Sequence, residues 1–260
     1  MANLLAENFR RLFKGKRFYV VLFVIIGLSC LFTGLFYLVN TFIADEIAEE
    51  VAMSGMGSLK TNADKLLLYM KSDMPLLIGI TAGMLIVQDF RNNTIRNKVT
   101  VGHSRVKIYL SNFIVSETVM LIYEGAYFIV SAVLGGIVLG FDKFPSKDTV
   151  IIMLMTLLIQ MALTSLIVFF CNTMKNVGGF VLAITMTYIA GIFQLALNLL
   201  NKMPKVQELI VEIVPSYQLI ELLNSATVPD HAVRMALFMV GITVLSTAGG
   251  ILLFRKSELK

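Results

Sequence analysis

The sequence predicts an all-α membrane protein, with six transmembrane helices, an N-terminal interfacial helix, a cytoplasmic helical segment and an outer re-entrant helical hairpin. Three observations predict it. Of 260 residues, 57% are apolar and 15% are charged, with a mean hydropathy of +0.80, whereas a soluble domain carries about a quarter charged residues. The apolar residues fall in long uncharged runs that recur along the whole chain. The charges between those runs alternate in sign balance from one connection to the next. Together these exclude a disordered chain and an ordinary soluble enzyme.

Each element follows in order, all within a single transmembrane domain over 1–260. Residues 1–17 place Leu5, Phe9, Leu12 and Phe13 on one helical face and Arg10, Arg11 and Lys14 elsewhere, the pattern of a helix lying on a membrane surface. A spanning helix needs roughly 20 apolar residues. Residues 18–40, 150–172, 178–200 and 232–254 meet that length. The stretch 108–140 exceeds it, so its first turns are expected to project into water. The weakest span is 75–90, where Pro75 after Ser72-Asp73 reads as a helix start. Residues 91–107 form an unusually long connection with an Asn/Thr cluster and a Gly102-His103-Ser104 turn. Residues 201–231 are too polar to span and too apolar for a plain loop, and Pro215 splits them into two amphipathic pieces. Such a break is tolerated at membrane depth only where protein or water covers it.

The charges orient the chain. With the N-terminus inside, the inner segments hold 14 of the 22 basic residues and three acids, a net of +11, and the outer segments hold seven lysines and twelve acids, a net of −5. Basic residues near span ends stay cytoplasmic, so both termini are expected inside a multi-pass cell-membrane protein. The same segregation removes the nucleic-acid reading of the net charge of +5.

Catalytic and metal chemistry find no footing. Cys30 and Cys171 sit inside apolar runs, and His103 and His231 fall on opposite sides of the predicted membrane. No metal site, nucleophile motif or phosphate-binding Gly-x-x-x-x-Gly-Lys-Ser/Thr loop occurs. The basic N-terminus precedes a run too long for a cleavable signal, so the first span is expected to remain.

Polar residues inside the spans are the remaining candidates. Glu117, Glu124, Tyr127, Ser131 and Gly135 recur at helical spacing, and an intramembrane carboxylate faces a cavity or a partner. The stripe either lines a translocation path or is hydrogen-bonded between helices. Gln160 with Thr156 and Thr164, and Gln194 and Asn198 with Thr187, carry the same two readings. Gly79-x-x-x-Gly83 and Gly136-x-x-x-Gly140 permit close helix approach, within one chain or between two.

On the basic N-terminal helix, Asp89-Phe90-Arg91-Asn92-Asn93-Thr94-Ile95-Arg96-Asn97-Lys98 with Gly102-His103-Ser104-Arg105, Val214-Pro215-Ser216-Tyr217 and Leu253-Phe254-Arg255-Lys256, the whole chain resembles permease subunits of type-2 ATP-binding-cassette exporters. Asn93 stands where that family commonly has Gly, and Gly102-His103 where it has Pro. The resemblance implies a coupling helix over 91–105 that seats on a separate ATPase subunit, with Arg91, Asn93, Thr94, Arg96, Lys98, His103, Ser104 and Arg105 as docking residues. It implies an outer gate at Pro215 and Tyr217. It also implies two ATPase copies carrying ATP and Mg, a second permease copy or a related permease, and contact with membrane lipid. The function expected is export of an amphipathic or antimicrobial peptide, with a drug or lipid as other cargoes. Two further readings stay open: a sensor or immunity subunit that binds a peptide without moving it, and an ion-coupled carrier.

Overall fold

Uncharged apolar runs free of internal proline have one way to satisfy their backbone in lipid, the helix. A computed structural model shows the result for residues 1–43, 61–199, 210, 212–224 and 227–257. The described residues form helices α1 (Ala2–Lys14), α2 (Lys16–Leu38), α3 (Ala63–Tyr69), α4 (Met74–Ile78), α5 (Met84–Arg91), α6 (Thr94–Thr100), α7 (Arg105–Val138), α8 (Lys147–Met174), α9 (Val177–Leu199), α10 (Pro215–Asn224) and α11 (Ala232–Lys256), and no strand. Among the described residues, five helical stretches are long and apolar enough to cross a membrane: Lys16–Phe42, Met74–Arg91, α7, α8 and α11. The run expected at 178–200 is helical as α9, and its apolar part with described side chains covers Val177–Tyr188.

The bundle is built on α7 and α8. α11 and α9 pack along α8, while α2, α3 and α1 pack along α7. Three apolar clusters fill it: one joins α2, α4 and α7 around Ile25, Ile78 and Tyr123, and another gathers Leu4, Ile86, Ile95, Tyr109 and Phe254. The third joins α8, α10 and α11 through Ile159, Leu222 and Met239. Large side chains such as Phe23 (73% exposed) and Leu245 (73%) point away from the core, as lipid-facing positions do.

Two elements gain detail. The second span, expected at 75–90, coincides with the membrane-capable stretch Met74–Arg91, and helix already precedes it. Its helical path starts at Ala63, runs through α3, tightens into a 3₁₀ turn at Met70–Ser72, and continues through α4, a π-helical turn at Gly79–Gly83 and α5. Ala63, Leu66 and Leu67 are fully buried, because Gly135 lets α3 lie directly on α7: a Cβ there would come within 2.8 Å of Leu66. The N-terminal helix, expected at the membrane surface, packs on the bundle through a defined face. It buries Leu4, Asn8 and Leu12 against the bundle and leaves Phe13 42% exposed. A polar residue occupies the middle of its buried face.

In the two Gly-x-x-x-Gly pairs, Gly79, Gly83 and Gly136 lie close to side chains of the same chain, while a Cβ on Gly140 would meet nothing within 4 Å. A Cβ on Gly79 would meet the Phe180 ring of α9 at 2.7 Å, and one on Gly136 would meet Phe141 at 2.5 Å. Residues 44–60, between the first two spans, and residues 200–209 and 211, from the expected outer hairpin, lie outside the described residues.

Candidate functional site

The connection after the second span is a short helix held between two left-handed turns. Asn93 (φ 55°) ends α5 and starts α6, and Gly102 (φ 97°) reverses the chain after it. Asn tolerates that conformation and Gly adopts it freely, so both residue choices suit the corners. Ser104 caps α7 by accepting from the Lys107 amide at 3.4 Å, and the His103 amide donates to the Lys98 carbonyl at 3.1 Å. Of the predicted docking residues, Arg91, Asn93, Arg96 and Ser104 are exposed, while Thr94 and His103 are half-buried. Val101, 78% exposed, adds an apolar tip beside them.

Two predicted docking residues are committed elsewhere. Lys98 is 5% exposed and turns inward, where its ammonium sits 3.1 Å from Asp89 and donates to Asn8 Oδ1 at 2.9 Å. Arg105 reaches the end of α11, donating to the carbonyls of Arg255 (2.8 Å), Phe254 (3.4 Å) and Ser257. Helix C-termini leave carbonyls without intrahelical donors, and a guanidinium there meets both the orphan acceptors and the negative end of the dipole.

Lys98 belongs to a buried knot that sequence reasoning missed. Asp89, fully buried, pairs with Arg11 of α1 and with Lys98 of α6. A charge removed from water persists only with partners of this kind. Asn8 carries the network on, donating to Ser111 Oγ (2.9 Å) and Asn112 Oδ1 (3.3 Å), and Asn112 donates to Asn172 of α8 at 3.1 Å. Five helices, α1, α5, α6, α7 and α8, are thus joined beneath the exposed rim of 91–104. The available signal was Asn8 at the i, i+4, i+8 positions shared with Leu4 and Leu12.

The intramembrane stripe of α7 is drawn together inside the chain. Glu124 (2% exposed) pairs with Lys71 (4%) of the 3₁₀ turn, and the Lys71 ammonium also lies 5.7 Å from the centre of the Tyr127 ring. Gln160 donates to the Lys71 carbonyl at 2.6 Å, Tyr127 to the Leu66 carbonyl, and Ser131 meets Ser29 of α2 at 2.7 Å. Because α7 and α8 run antiparallel, the Asn112–Asn172 link and the Glu124–Lys71–Gln160 group fix their register and place Glu117 and Thr164 between them. Both Glu117 carboxylate oxygens, Glu124 Oε1, Gln160 Oε1 and the Thr164 hydroxyl have no hydrogen-bond partner among the described residues. Buried acceptors of this kind call for water or a moving partner. Gln194 and Asn198 lie on α9, where the side chains of residues 189–199 are outside the described ones.

On the far side, Pro215 opens α10 and Tyr217 is buried against Ile210 and Val214. Ser216 donates to the Thr187 carbonyl at 2.8 Å, and Tyr188 to Asp73 at 3.3 Å, around a cavity of about 80 Å³. Glu212, 3% exposed, lies 3.2 Å from Arg234, and Glu221 lies 3.1 Å from His231. Asp64 accepts the backbone N–H groups of Asp142, Lys143 and Phe144 at 2.7–3.0 Å, tying the start of the second span to the connection between α7 and α8.

No curated protein matches the chain significantly. Residues 12–194, more than half of the chain, match the family described as ABC-2 family transporter protein. That match begins in the last turn of α1, after Asn8 and Arg11, and takes in Asp89, the 91–107 connection and the Lys71–Glu124 pair before it ends in α9. The chain therefore belongs to the ABC-2 transporter family: it is a multi-pass membrane permease of an ABC transporter, a kind of protein that works with an ABC ATPase.

Proposed function

We infer that the chain is the permease of an ATP-driven exporter, dimeric and served by two ATPase subunits that dock on the face formed by residues 91–104. The observation that carries this reading is the exposed rim of Arg91, Asn93, Arg96 and Val101 standing on the Asp89–Lys98–Asn8 knot. A push on α6 reaches α1, α5, α7 and α8 together, because buried polar bonds join them. ATP and Mg belong to the partner; the permease supplies docking, motion and a path.

In this reading the cell membrane holds six spans with both termini on the ATPase side, where the basic residues concentrate. Glu117, Glu124, Tyr127, Ser131 and Gln160 form the seam that opens during transport, and their unpartnered oxygens would meet polar groups of the cargo then. Pro215 and Tyr217 mark the exit. The cargo is an amphipathic or antimicrobial peptide, with a drug or lipid as other candidates. The apolar interior broken by a few acidic and amide groups supports a cargo of mixed character.

The test is Arg96→Glu in the assembled complex. It is expected to reduce ATPase co-purification and ATP-dependent peptide uptake into inside-out vesicles by tenfold or more, with the permease still folded. Wild-type co-purification and uptake would remove the docking role.

A further inference from the structure

The chain turns sharply between α1 and α2 at Gly15, where any Cβ would lie 3.2 Å from the carbonyls of Arg11 and Leu12. Inside that elbow, against the π-helical turn and α5, is a cleft of about 300 Å³. Its polar lining comes from Arg11, Lys16, Arg17, Thr81 and Gln88, and its apolar floor from Leu12, Phe18 and Leu85. These groups differ in what they have left to offer. Arg11 is tied to Asp89, and Thr81 shares a hydrogen bond with Tyr123 at 2.7 Å. Lys16 and Arg17 are exposed, and neither they nor the Gln88 carboxamide has a partner among the described residues. Two unpaired cations and an amide donor therefore converge on one concavity.

The mouth of the cleft continues onto an apolar track. Lys16, Tyr19, Val20 and Phe23 fall at i, i+3, i+4 and i+7 on α2, one stripe of a helix. Tyr19 is 46% exposed, Val20 59% and Phe23 73%. A basic pocket at a span end, followed at once by an exposed apolar stripe running into the membrane, matches a molecule with an anionic head and a hydrocarbon tail. A soluble phosphate would use the pocket and gain nothing from the stripe.

We propose that the α1–α2 elbow binds the phosphate head group of an anionic phospholipid from the leaflet on the α1 side, with an acyl chain lying along Tyr19, Val20 and Phe23. The lipid is a resident ligand, separate from the cargo. It fills the angle between α1 and the broken second span, so its occupancy sets how firmly α1 stays docked. Lys16 and Arg17 supply the charge, Gln88 donates to a phosphate oxygen, and Phe18 and Leu85 exclude water beneath the head group.

The test uses the full chain, reconstituted in mixed phosphatidylglycerol and phosphatidylcholine, extracted in mild detergent and weighed by native mass spectrometry. Wild-type protein is expected to retain phosphatidylglycerol selectively, one molecule per chain. Removing a basic residue near an anionic lipid surface weakens binding roughly fivefold, so Lys16→Gln and Arg17→Gln each lower retention by that factor and the pair by about thirtyfold. Lys14→Gln, an exposed basic residue that does not line the cleft, leaves retention unchanged. Phe23→Ser lowers retention while leaving the charge in place. Excess inorganic phosphate does not displace the lipid.

Equal retention of phosphatidylcholine, an unchanged double variant, or a loss with Lys14→Gln as large as with Lys16→Gln overturns the proposal. Displacement by inorganic phosphate together with an unaffected Phe23→Ser variant overturns it in favour of a free-phosphate pocket. The readout involves neither ATPase nor transport, so it stands or falls apart from the exporter reading.

Discussion

A lysine ammonium taken out of water costs several kcal/mol unless a carboxylate faces it closely. Lys71 meets that condition with Glu124, a residue 53 positions away. Breaking one side of a buried pair leaves the other charge stranded, which costs about 3–5 kcal/mol. Lys71→Met and Glu124→Gln are therefore each expected to lower unfolding stability by about that amount. Lys71→Met with Glu124→Gln should cost at least about 1.5 kcal/mol less than the sum of the singles. Strict additivity in a chemical-denaturation cycle would show that the two charges are not coupled. Arg105 makes a milder case. Arg105→Gln strips the α11 terminus of its cation, and a loss of about 1–2 kcal/mol is expected, with earlier hydrogen exchange at 251–257 as the local signature. Neither pairing was legible in the sequence. The positive Lys71 sits among outer-side charges, and Arg105 finds its acceptors about 150 positions downstream. Local pattern carries no record of such distances.

At the scale of elements, periodicity revealed which segments are helical and missed what they face. α1 shows an apolar stripe through Leu5, Phe9 and Phe13, yet the residue at the centre of its docked face is Asn8. A hydrophobic pattern ranks Asn as solvent-facing and cannot anticipate that Lys98, Ser111 and Asn112 wait for it. The helix that leads into the second span was hidden in the same way, because Lys71 and Asp73 interrupt the apolar run at and just after the 3₁₀ turn. Two consequences are measurable. Asp89→Asn removes the charge that holds Arg11 and Lys98, so a cysteine placed at Leu4 should react with a soluble maleimide at least tenfold faster than in the parent protein. An unchanged rate would mean that apolar packing alone holds α1. At the α4–α9 crossing, the Gly79 Cα approaches the Phe180 ring too closely for a side chain. Gly79→Ala is expected to cost about 1–3 kcal/mol by overpacking, and Phe180→Leu should recover part of it. If the second change adds to the damage, the close approach is not the cause.

For the whole molecule, the long uncharged runs and the segregated basic residues sufficed to anticipate an all-helical membrane bundle. The family followed from motif order along the chain and agrees with the match over residues 12–194. The orientation makes a direct prediction. A cysteine at Val101, whose side chain is 78% exposed, should be labelled by an impermeant maleimide only in inside-out vesicles, and one at Lys143 only in right-side-out vesicles. The reverse pattern would invert the topology and with it the docking face. What composition leaves silent is cargo, because the polar groups of the α7–α8 seam are few and several of their oxygens have no partner among the described residues.

The Asn8–Asn112–Asn172 chain also has a meaning in time. Asn8 of α1 finds its hydrogen-bond partners on segments made much later. At about 5–20 residues per second, roughly five to twenty seconds separate Asn8 from Asn112. Until then α1 has a basic, amphipathic surface and nowhere to dock but the membrane itself. Synthesis would therefore pass through a stage in which α1 lies on the bilayer, and its move onto the bundle would be among the late events of assembly.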